Sequence, residues 1–215
     1  ASDEAFAEWL SAIFLLAYPK LTPTGSLLFF GGSGFQGNRG LLRTILHLDS
    51  SSYVYRNWIT WKKRRAYGKS HDYLYCREEL IWYSKSPERT GVTFNVPYLD
   101  EKHEDGGRGW NPKYQTKSEH KRVSNVWADI NELFAPERVC EKPSPLAERI
   151  VLTHSNPGDL VADFFCGLGA IGVAALANGR RFRGGDLDPE AVEKAEERCR
   201  TAAGEGGVLD LFGEG

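Results

Sequence analysis

The residue types that this chain of 215 residues lacks already exclude several classes of protein. It has no methionine, so we expect that it does not include the start of its reading frame. Its four cysteines are scattered, which excludes a zinc or redox site built on a close cysteine pair and favours a reducing compartment. No apolar run is long enough to span a membrane, and the acidic start Ala1–Glu4 is not a signal peptide. We therefore expect a soluble protein without a membrane partner.

The charge of the chain is nearly balanced, with a formal net charge of −2 at pH 7. Bulk charge therefore does not indicate a nucleic-acid partner, and any such prediction must depend on local clustering. Residues 56–65 form one cluster, with several basic residues, no acidic one and interleaved aromatic rings. Its members are Arg56, Trp58, Trp61, Lys62, Lys63, Arg64 and Arg65. Such a run can contact phosphates while its rings stack on bases, or it can be a solvated connection between strands.

The strongest motif is a glycine turn near the end of the sequence. Residues 160–165 form a short apolar run, the turn follows, and residues 170–177 have helical composition. A second predicted strand at 181–185 leads to the acidic tip Asp186–Asp188. Glycines let the backbone turn sharply and approach a ligand, and the start of the helix presents free N–H groups. This order is typical of folds that bind adenosine-containing cofactors, in which an acid placed like Asp186 bonds the ribose hydroxyls.

Two cofactors compete for this turn. Gly167–Gly172 matches the GxGxxG pattern of nicotinamide and flavin proteins, which alone is a weak signal. A doubly wound dehydrogenase needs further strand-helix units after this one, yet only about one helix remains before Gly215. Asp163, just before the glycines, favours S-adenosylmethionine instead, because a carboxylate attracts its sulfonium cation and amino group. A glycine turn that binds nothing is the third possibility.

The rest of the pattern predicts a single α/β domain over residues 1–215. Apolar spacing predicts helices at 6–17, 40–48 and 146–154, and apolar, aromatic or β-branched runs predict strands at 26–30, 53–61 and 79–84. Residues 88–136 are polar, of mixed charge and interrupted by Gly106–Gly109, so they are predicted to leave the sheet. The histidines lack the spacing of a metal site and are predicted to be surface or hydrogen-bonded residues, so no metal is expected.

Together these residues resemble the DNA amino-methyltransferases that modify adenine at N6 or cytosine at N4, in the permuted order called the beta class. Residues 161–172 are similar to the first motif of that family, 179–190 to its second and 140–149 to its Gln-Lys-Pro segment. Residues 57–62 resemble the strand whose end approaches the target base. The resemblance implies a Rossmann-like α/β methyltransferase with a mostly parallel seven-stranded sheet, catalytic half first and cofactor half last. Residues 88–136 would then be an inserted DNA-recognition segment.

The resemblance also implies the sites and the partners. S-adenosylmethionine would be the cofactor and double-stranded DNA the partner, with a homodimer as a possible assembly, in the cytoplasm of a bacterium or the nucleus of a eukaryote. Implied cofactor contacts are Lys142, Pro143, Asp163, Phe164, Phe165, Cys166, Gly167, Gly169, Asp186, Leu187 and Asp188. Implied DNA contacts are Trp61, Lys62, Lys63, Arg64 and Arg65. Four positions depart from the family pattern: Phe164 replaces a proline, Ala170–Ile171 replace paired threonines and Glu141 replaces a glutamine.

The catalytic residues of that family are Asp, Asn or Ser followed by Pro-Pro and an aromatic residue, and no Pro-Pro occurs in this chain. In the family's order this tetrapeptide precedes Ala1, so we expect it upstream. Asn95–Tyr98 differs from it by one residue, but a strand end with a proline turn is the preferred interpretation. The implied reaction is methylation of an exocyclic amino group in DNA, with adenine N6 favoured over cytosine N4. A catalytically silent DNA-binding subunit and a nicotinamide-dependent oxidoreductase remain alternatives.

Overall fold

The computed structural model describes residues 2–32, 34, 37–104, 118–138 and 140–204. All the predicted helices and strands are present, most of them extended by a few residues. In chain order the elements are α1 (Asp3–Ala17), β1 (Ser26–Gly31), α2 (Gly40–Asp49), β2 (Val54–Tyr67), β3 (Tyr75–Ser84), β4 (Tyr98–Lys102), β5 (His120–Arg122), β6 (Val126–Trp127), α3 (Ser144–His154), β7 (Leu160–Asp163), α4 (Ala170–Ala177), β8 (Arg181–Gly184) and α5 (Pro189–Ala203).

Local sequence explains where the first and last helices begin. At the start of α1 the Ser2 hydroxyl accepts a hydrogen bond from the Ala5 N–H at 3.2 Å. At the start of α5 the Asp188 carboxylate accepts one from the Glu190 N–H at 3.1 Å, and Pro189 takes the first helical position, where no N–H is needed. The second cap fixes the acidic tip of the sequence against the N-terminus of α5.

The strands form three hydrogen-bonded sets within the described residues. The largest has the order β1-β3-β2-β6, β4 pairs with β5, and β7 pairs with β8. The predicted α/β class is present, and the described strands pair as three separate sets. Only β2–β6 and β7–β8 are parallel pairs, whereas β1–β3, β2–β3 and β4–β5 are antiparallel. The connection 68–74 is too short for the crossover that a parallel β2–β3 pair would need, which takes a dozen or more residues.

The β2–β3 hairpin is longer than the sequence pattern predicted. The basic residues after Trp61, which could have been a solvated connection, continue strand β2, and Lys62 lies opposite Arg77 in the ladder. Lys63 on β2 forms an ion pair with Glu78 on β3, so opposite charges support the extension where apolar alternation ends. The basic run is therefore presented on a β-ribbon.

Three apolar cores hold the fold together, and helix α3 contributes to two of them. The first lies between α1, α2 and one face of the β1-β3-β2 sheet. The second packs α3 against α4, β8 and α5 through Ala147 and Val151. The third packs α3 against the other face of the sheet through Leu146 and Ile150. Leu146 and Ile150 lie on one face of α3, and Ala147 and Val151 lie on the adjacent face. Each face packs against a different core, so α3 joins the two halves of the chain.

The excursion at 88–136 contains β4, β5 and β6 among its described residues. Residues 105–117, which include the predicted Gly106–Gly109 interruption, lie outside the described residues. The assignment of residues 88–136 to DNA recognition remains a prediction.

None of the helices in the described ranges combines the length and apolarity needed to cross a bilayer.

Candidate functional site

The glycine turn connects β7 to α4 and is held by backbone hydrogen bonds. The Gly185 N–H donates to the Asp163 carbonyl and the Cys166 N–H donates to the Gly185 carbonyl, both at 2.9 Å. Gly169 has a φ of +77°, and a Cβ there would lie 3.0 Å from the Ala195 Cβ of α5. A side chain is therefore disfavoured at Gly169 by both conformation and space. Gly167 also has positive φ, at +51°, but no atom lies within 4 Å of the place that a Cβ would take, so that face of the turn is open.

Asp163 ends strand β7 directly before this turn. Its carboxylate accepts a hydrogen bond from the Phe165 N–H at 3.1 Å. Burial raises the pKa of Asp163 above its ordinary value, and the nearby charge of Asp186 raises it further, whereas the Phe165 N–H and Lys142 act in the opposite direction. A buried carboxylate in this state is stabilised by any cationic group that binds beside it.

Asp186 and Asp188 follow strand β8 and approach the same turn. Asp186 Oδ2 accepts the Gly167 N–H at 2.9 Å, and Asp186 Oδ1 accepts the Asp188 N–H at 3.1 Å. The Arg138 guanidinium contacts both carboxylates. Between the two acids the Leu187 side chain is 96% exposed, which leaves an apolar group free beside them. The predicted acidic tip is thus in direct contact with the predicted glycine turn.

Lys142 and Pro143 lie immediately before α3 and bring residues from the first part of the chain to this site. The Lys142 amine donates to Glu78 Oε2 at 2.8 Å and lies 4.8 Å from the centre of the Phe30 ring at the end of β1. Burial raises the pKa of Glu78, but its charge contacts and hydrogen bonds with Lys142 and Lys63 outweigh this and hold that pKa below its ordinary value. Glu78 was not predicted as a site residue, because its distance from Lys142 in sequence gave no sign of their contact.

The other predicted cofactor contacts are apolar. Phe164 and Phe165 are about half exposed, and the Phe165 ring centre lies 5.7 Å from that of Trp9 on α1. Cys166 is buried, and burial together with the charges of Asp163 and Asp186 raises the pKa of its thiol to about 12. The thiol is therefore kept protonated, so Cys166 lines the turn without acting as a nucleophile.

The predicted DNA contacts occupy different environments on the β2–β3 hairpin. Trp61 is 1% exposed, and its indole N–H donates to the Ile130 carbonyl at 2.8 Å. Its large ring belongs to the third core, so the ring packs inside the protein and the implied DNA contact of Trp61 is not accessible in this conformation. An open concavity of about 250 Å³ is lined by Lys62, Lys63, Arg64 and Ala128. Lys62, Arg64 and Arg65, and not the tryptophan, therefore form the accessible surface of this run, whereas Lys63 is largely covered by its ion pair with Glu78.

Other candidates from the sequence prove to be structural. The Asn95 side-chain amide donates to the carbonyls of Leu152 and Ser155 at 2.9 and 3.0 Å and so closes the C-terminus of α3. Asn95 thus has a structural role, and residues 95–97 precede strand β4 where the preferred interpretation expected a strand end with a proline turn. No group of three or more potential metal ligands occurs in the part of the chain that the structure describes.

Comparison with known proteins agrees with this geometry. Residues 1–197 match the family described as DNA methylase (N6_N4_Mtase). The chain is 29% identical over 200 residues to the Type II methyltransferase M.HpaI of Haemophilus parainfluenzae, covering 89% of this chain and 57% of that protein. It therefore spans little more than half of that relative.

Solved structures show the same fold. TTHA0409 of Thermus thermophilus, complexed with S-adenosyl-L-methionine, has a TM-score of 0.68 at 23% identity, covering 99% of this chain and 83% of that one. The cytosine-N4-specific PvuII DNA methyltransferase has a TM-score of 0.69 at 16% identity, covering 89% of this chain and 70% of that one. These similarities confirm the predicted Rossmann-like α/β fold, although the local strand pairing differs from the expected sheet.

Proposed function

Because this chain belongs to the DNA methylase family of N6 and N4 methyltransferases, we propose that it transfers the methyl group of S-adenosylmethionine to the N6 amino group of adenine in double-stranded DNA. One observation carries the proposal. Asp163 at the end of β7, Gly167 in the turn and Asp186 after β8 meet through the Gly167–Asp186 hydrogen bond of 2.9 Å and through the effect of the Asp186 charge on Asp163. This arrangement offers two half-buried acids beside an open backbone face.

The residues of this site fit the proposed cofactor. Asp163, whose carboxylate is buried, would attract the amino group and the sulfonium of the methionine part, because both are cationic. The open face of Gly167 would allow close approach of the ligand to the backbone. Asp186 would accept the ribose hydroxyls, and the exposed Leu187 would flank the adenine together with Asp188. The bound cofactor supplies an electrophilic methyl group.

The remaining residues would position the reacting groups. Lys142, held by Glu78 and the Phe30 ring, would close the site from the sheet side, with Pro143 fixing the start of α3. The basic concavity at Lys62–Arg64 would bind DNA phosphates. Enzymes that act on a base take it out of the stack, so the proposed reaction requires the adenine to be flipped into the site.

The target base is tested by expressing the full-length gene in cells that lack amino-methylated DNA bases, digesting their DNA to nucleosides and measuring methylated products by mass spectrometry. N6-methyladenine is the expected product. N4-methylcytosine would instead make cytosine the target, which is the second candidate because the PvuII enzyme of this fold is cytosine-N4-specific. No methylated amine, despite binding of S-adenosylhomocysteine, would identify a catalytically silent subunit.

Cofactor choice is tested separately by calorimetry with S-adenosylhomocysteine and with NAD. We expect binding of the first and none of the second, and the reverse would restore the oxidoreductase interpretation. Asp163→Asn should weaken binding of S-adenosylhomocysteine about tenfold, the effect of losing one charged hydrogen bond of about 1.4 kcal/mol. Asp100→Asn, at an exposed position on β4, is the matched control and should leave binding unchanged.

A further inference from the structure

Arg138 bridges the two carboxylates of the acidic tip. Its Nη1 donates to Asp188 Oδ2 at 2.7 Å and its Nη2 donates to Asp186 Oδ1 at 3.4 Å. The Arg138 side chain is 36% exposed, whereas that of Asp186 is 13% exposed. The guanidinium therefore covers the solvent side of a largely buried acid.

Counting hydrogen bonds shows what this contact does to Asp186. Each carboxylate oxygen has room for about two donors. Among the described residues Oδ2 receives one donor, the Gly167 N–H, and so retains capacity for another. Oδ1 receives two, the Asp188 N–H and Arg138, and is therefore filled. A ligand with two adjacent hydroxyl groups needs both oxygens, so it can bind Asp186 through both hydroxyls only after Arg138 leaves Oδ1.

Arg138 belongs to a segment that is tied to helix α5 at two other points. Glu137 forms an ion pair with Lys194, and Glu141 forms one with Arg198 at 3.0 Å. Glu141 also accepts the Glu137 N–H at 3.0 Å, which links the two anchors. We call Glu137, Arg138 and Glu141 the strap. Of these contacts between the strap and the tip or α5, the one to Asp186 is the longest.

We propose that Arg138 blocks the ribose site and that the ribose hydroxyls of the cofactor displace it from Asp186. Glu137 and Glu141 of the strap stay paired with α5 during this displacement. This inference rests on the proposed role of Asp186 as the ribose acceptor. Displacement breaks the 3.4 Å contact first, and the 2.7 Å contact to Asp188 holds the guanidinium beside the site. Arg138 thereby limits both the affinity for the cofactor and the rate at which it enters.

The test compares Arg138→Gln with the unsubstituted protein by calorimetry and stopped-flow fluorescence, with S-adenosylhomocysteine as the probe. The variant should bind about two- to fivefold more tightly at low salt, the effect of one partly exposed ion pair, and mainly through faster association. In about 1 M NaCl, where the Debye length is about 3 Å, the difference should disappear. Unchanged or weaker binding by the variant at low salt would overturn the proposal.

Three further variants separate the possible failures. Arg200→Gln removes an arginine that pairs with Glu196 on the exposed side of α5, and should leave binding unchanged. Arg138→Lys keeps the charge but cannot bridge both acids, and should bind with intermediate affinity. Asp186→Ala should weaken binding in either background. If Asp186→Ala weakens binding while Arg138→Gln does not tighten it, only the proposed blocking by Arg138 is wrong. If Asp186→Ala has no effect, the proposed ribose site itself is rejected.

Discussion

Single residues in this protein show how surroundings change what a side chain can do. His154, at the end of α3, lies with its ring centre 4.7 Å from that of Trp82 and 5.7 Å from that of Phe94. Its Nδ1 has no hydrogen-bond partner among the described residues. The sequence suggested a surface or hydrogen-bonded histidine, whereas α3 places this half-buried ring against Trp82 and Phe94. Burial lowers the pKa of His154 to about 3.

His154 makes stability depend on pH. In the unfolded chain the imidazole takes up a proton below about pH 6.5, whereas the folded protein resists protonation until about pH 3. The stabilising contribution is therefore complete above pH 6.5 and is lost as the pH falls towards 3. Between pH 7 and pH 4.5 the free energy of unfolding should fall by about 2.5 kcal/mol from this group alone, at about 1.4 kcal/mol per pH unit.

Urea unfolding at both pH values checks this expectation. His154→Phe removes the titrating group but keeps an aromatic ring against Trp82 and Phe94, so the variant should lose less stability than the unsubstituted protein on acidification. The control is His47→Gln, at a partly exposed histidine beside Glu4. Equal losses of stability on acidification in the unsubstituted protein and in His154→Phe would contradict the assignment of this pH dependence to His154.

At the scale of elements, the glycine turn and the β2–β3 hairpin differ in how tightly the fold constrains them. The turn is fixed by backbone hydrogen bonds and by close contact with α5. The hairpin places the basic side chains around an open concavity, while Arg64 and Arg65 donate their backbone N–H groups to Glu132 at 2.8 Å. The turn thus requires particular residues at particular positions, whereas the hairpin requires mainly positively charged side chains.

Gly169→Ala should destabilise the protein through both conformation and space. The positive φ costs about 1 kcal/mol for alanine, and the contact with Ala195 adds about 1–3 kcal/mol of overpacking. Gly179 has a φ of +74° with nothing within 4 Å of a Cβ, so Gly179→Ala should show only the conformational cost. Chemical denaturation of both variants measures the difference, and equal losses would mean that α5 does not press on the turn.

Lys62→Ala should weaken binding to duplex DNA of random sequence. One phosphate contact fewer should reduce the slope of log affinity against log salt by about 1. Fluorescence anisotropy over a range of salt concentrations measures that slope. Lys20→Ala, an exposed lysine far from the hairpin in sequence, is the control and should keep the full slope. An unchanged slope for Lys62→Ala would remove this residue from the DNA surface.

At the scale of the whole molecule, α3 couples the halves because it contributes to the cores on both sides. We expect the halves to unfold together, and the tryptophans provide a test. All six, Trp9, Trp58, Trp61, Trp82, Trp110 and Trp127, precede α3, so their fluorescence reports mainly the first part of the chain, and Trp9 also contacts Phe165 of the glycine turn. The proposed cofactor turn lies after α3.

Binding of S-adenosylhomocysteine should therefore raise the midpoint of the tryptophan-detected transition. At a ligand concentration of 100 times the dissociation constant, binding should add about 2.7 kcal/mol to the free energy of unfolding of the cooperative unit that contains the site. Circular dichroism should give the same midpoint, as expected for a single cooperative transition. A ligand that shifts the dichroism transition but not the fluorescence transition would show that the halves unfold independently.

The sequence by itself predicted the α/β elements, the glycine turn and the acidic tip, because local periodicity and the conformational freedom of glycine depend on near neighbours in the chain. It also predicted the family and most of the proposed cofactor contacts. Tertiary structure alone decided that Trp61 is buried, that Glu78 holds Lys142 and that Arg138 covers Asp186. These outcomes join residues far apart in sequence, and long-range contacts of that kind depend on how the strands and α3 pack, which no local pattern encodes.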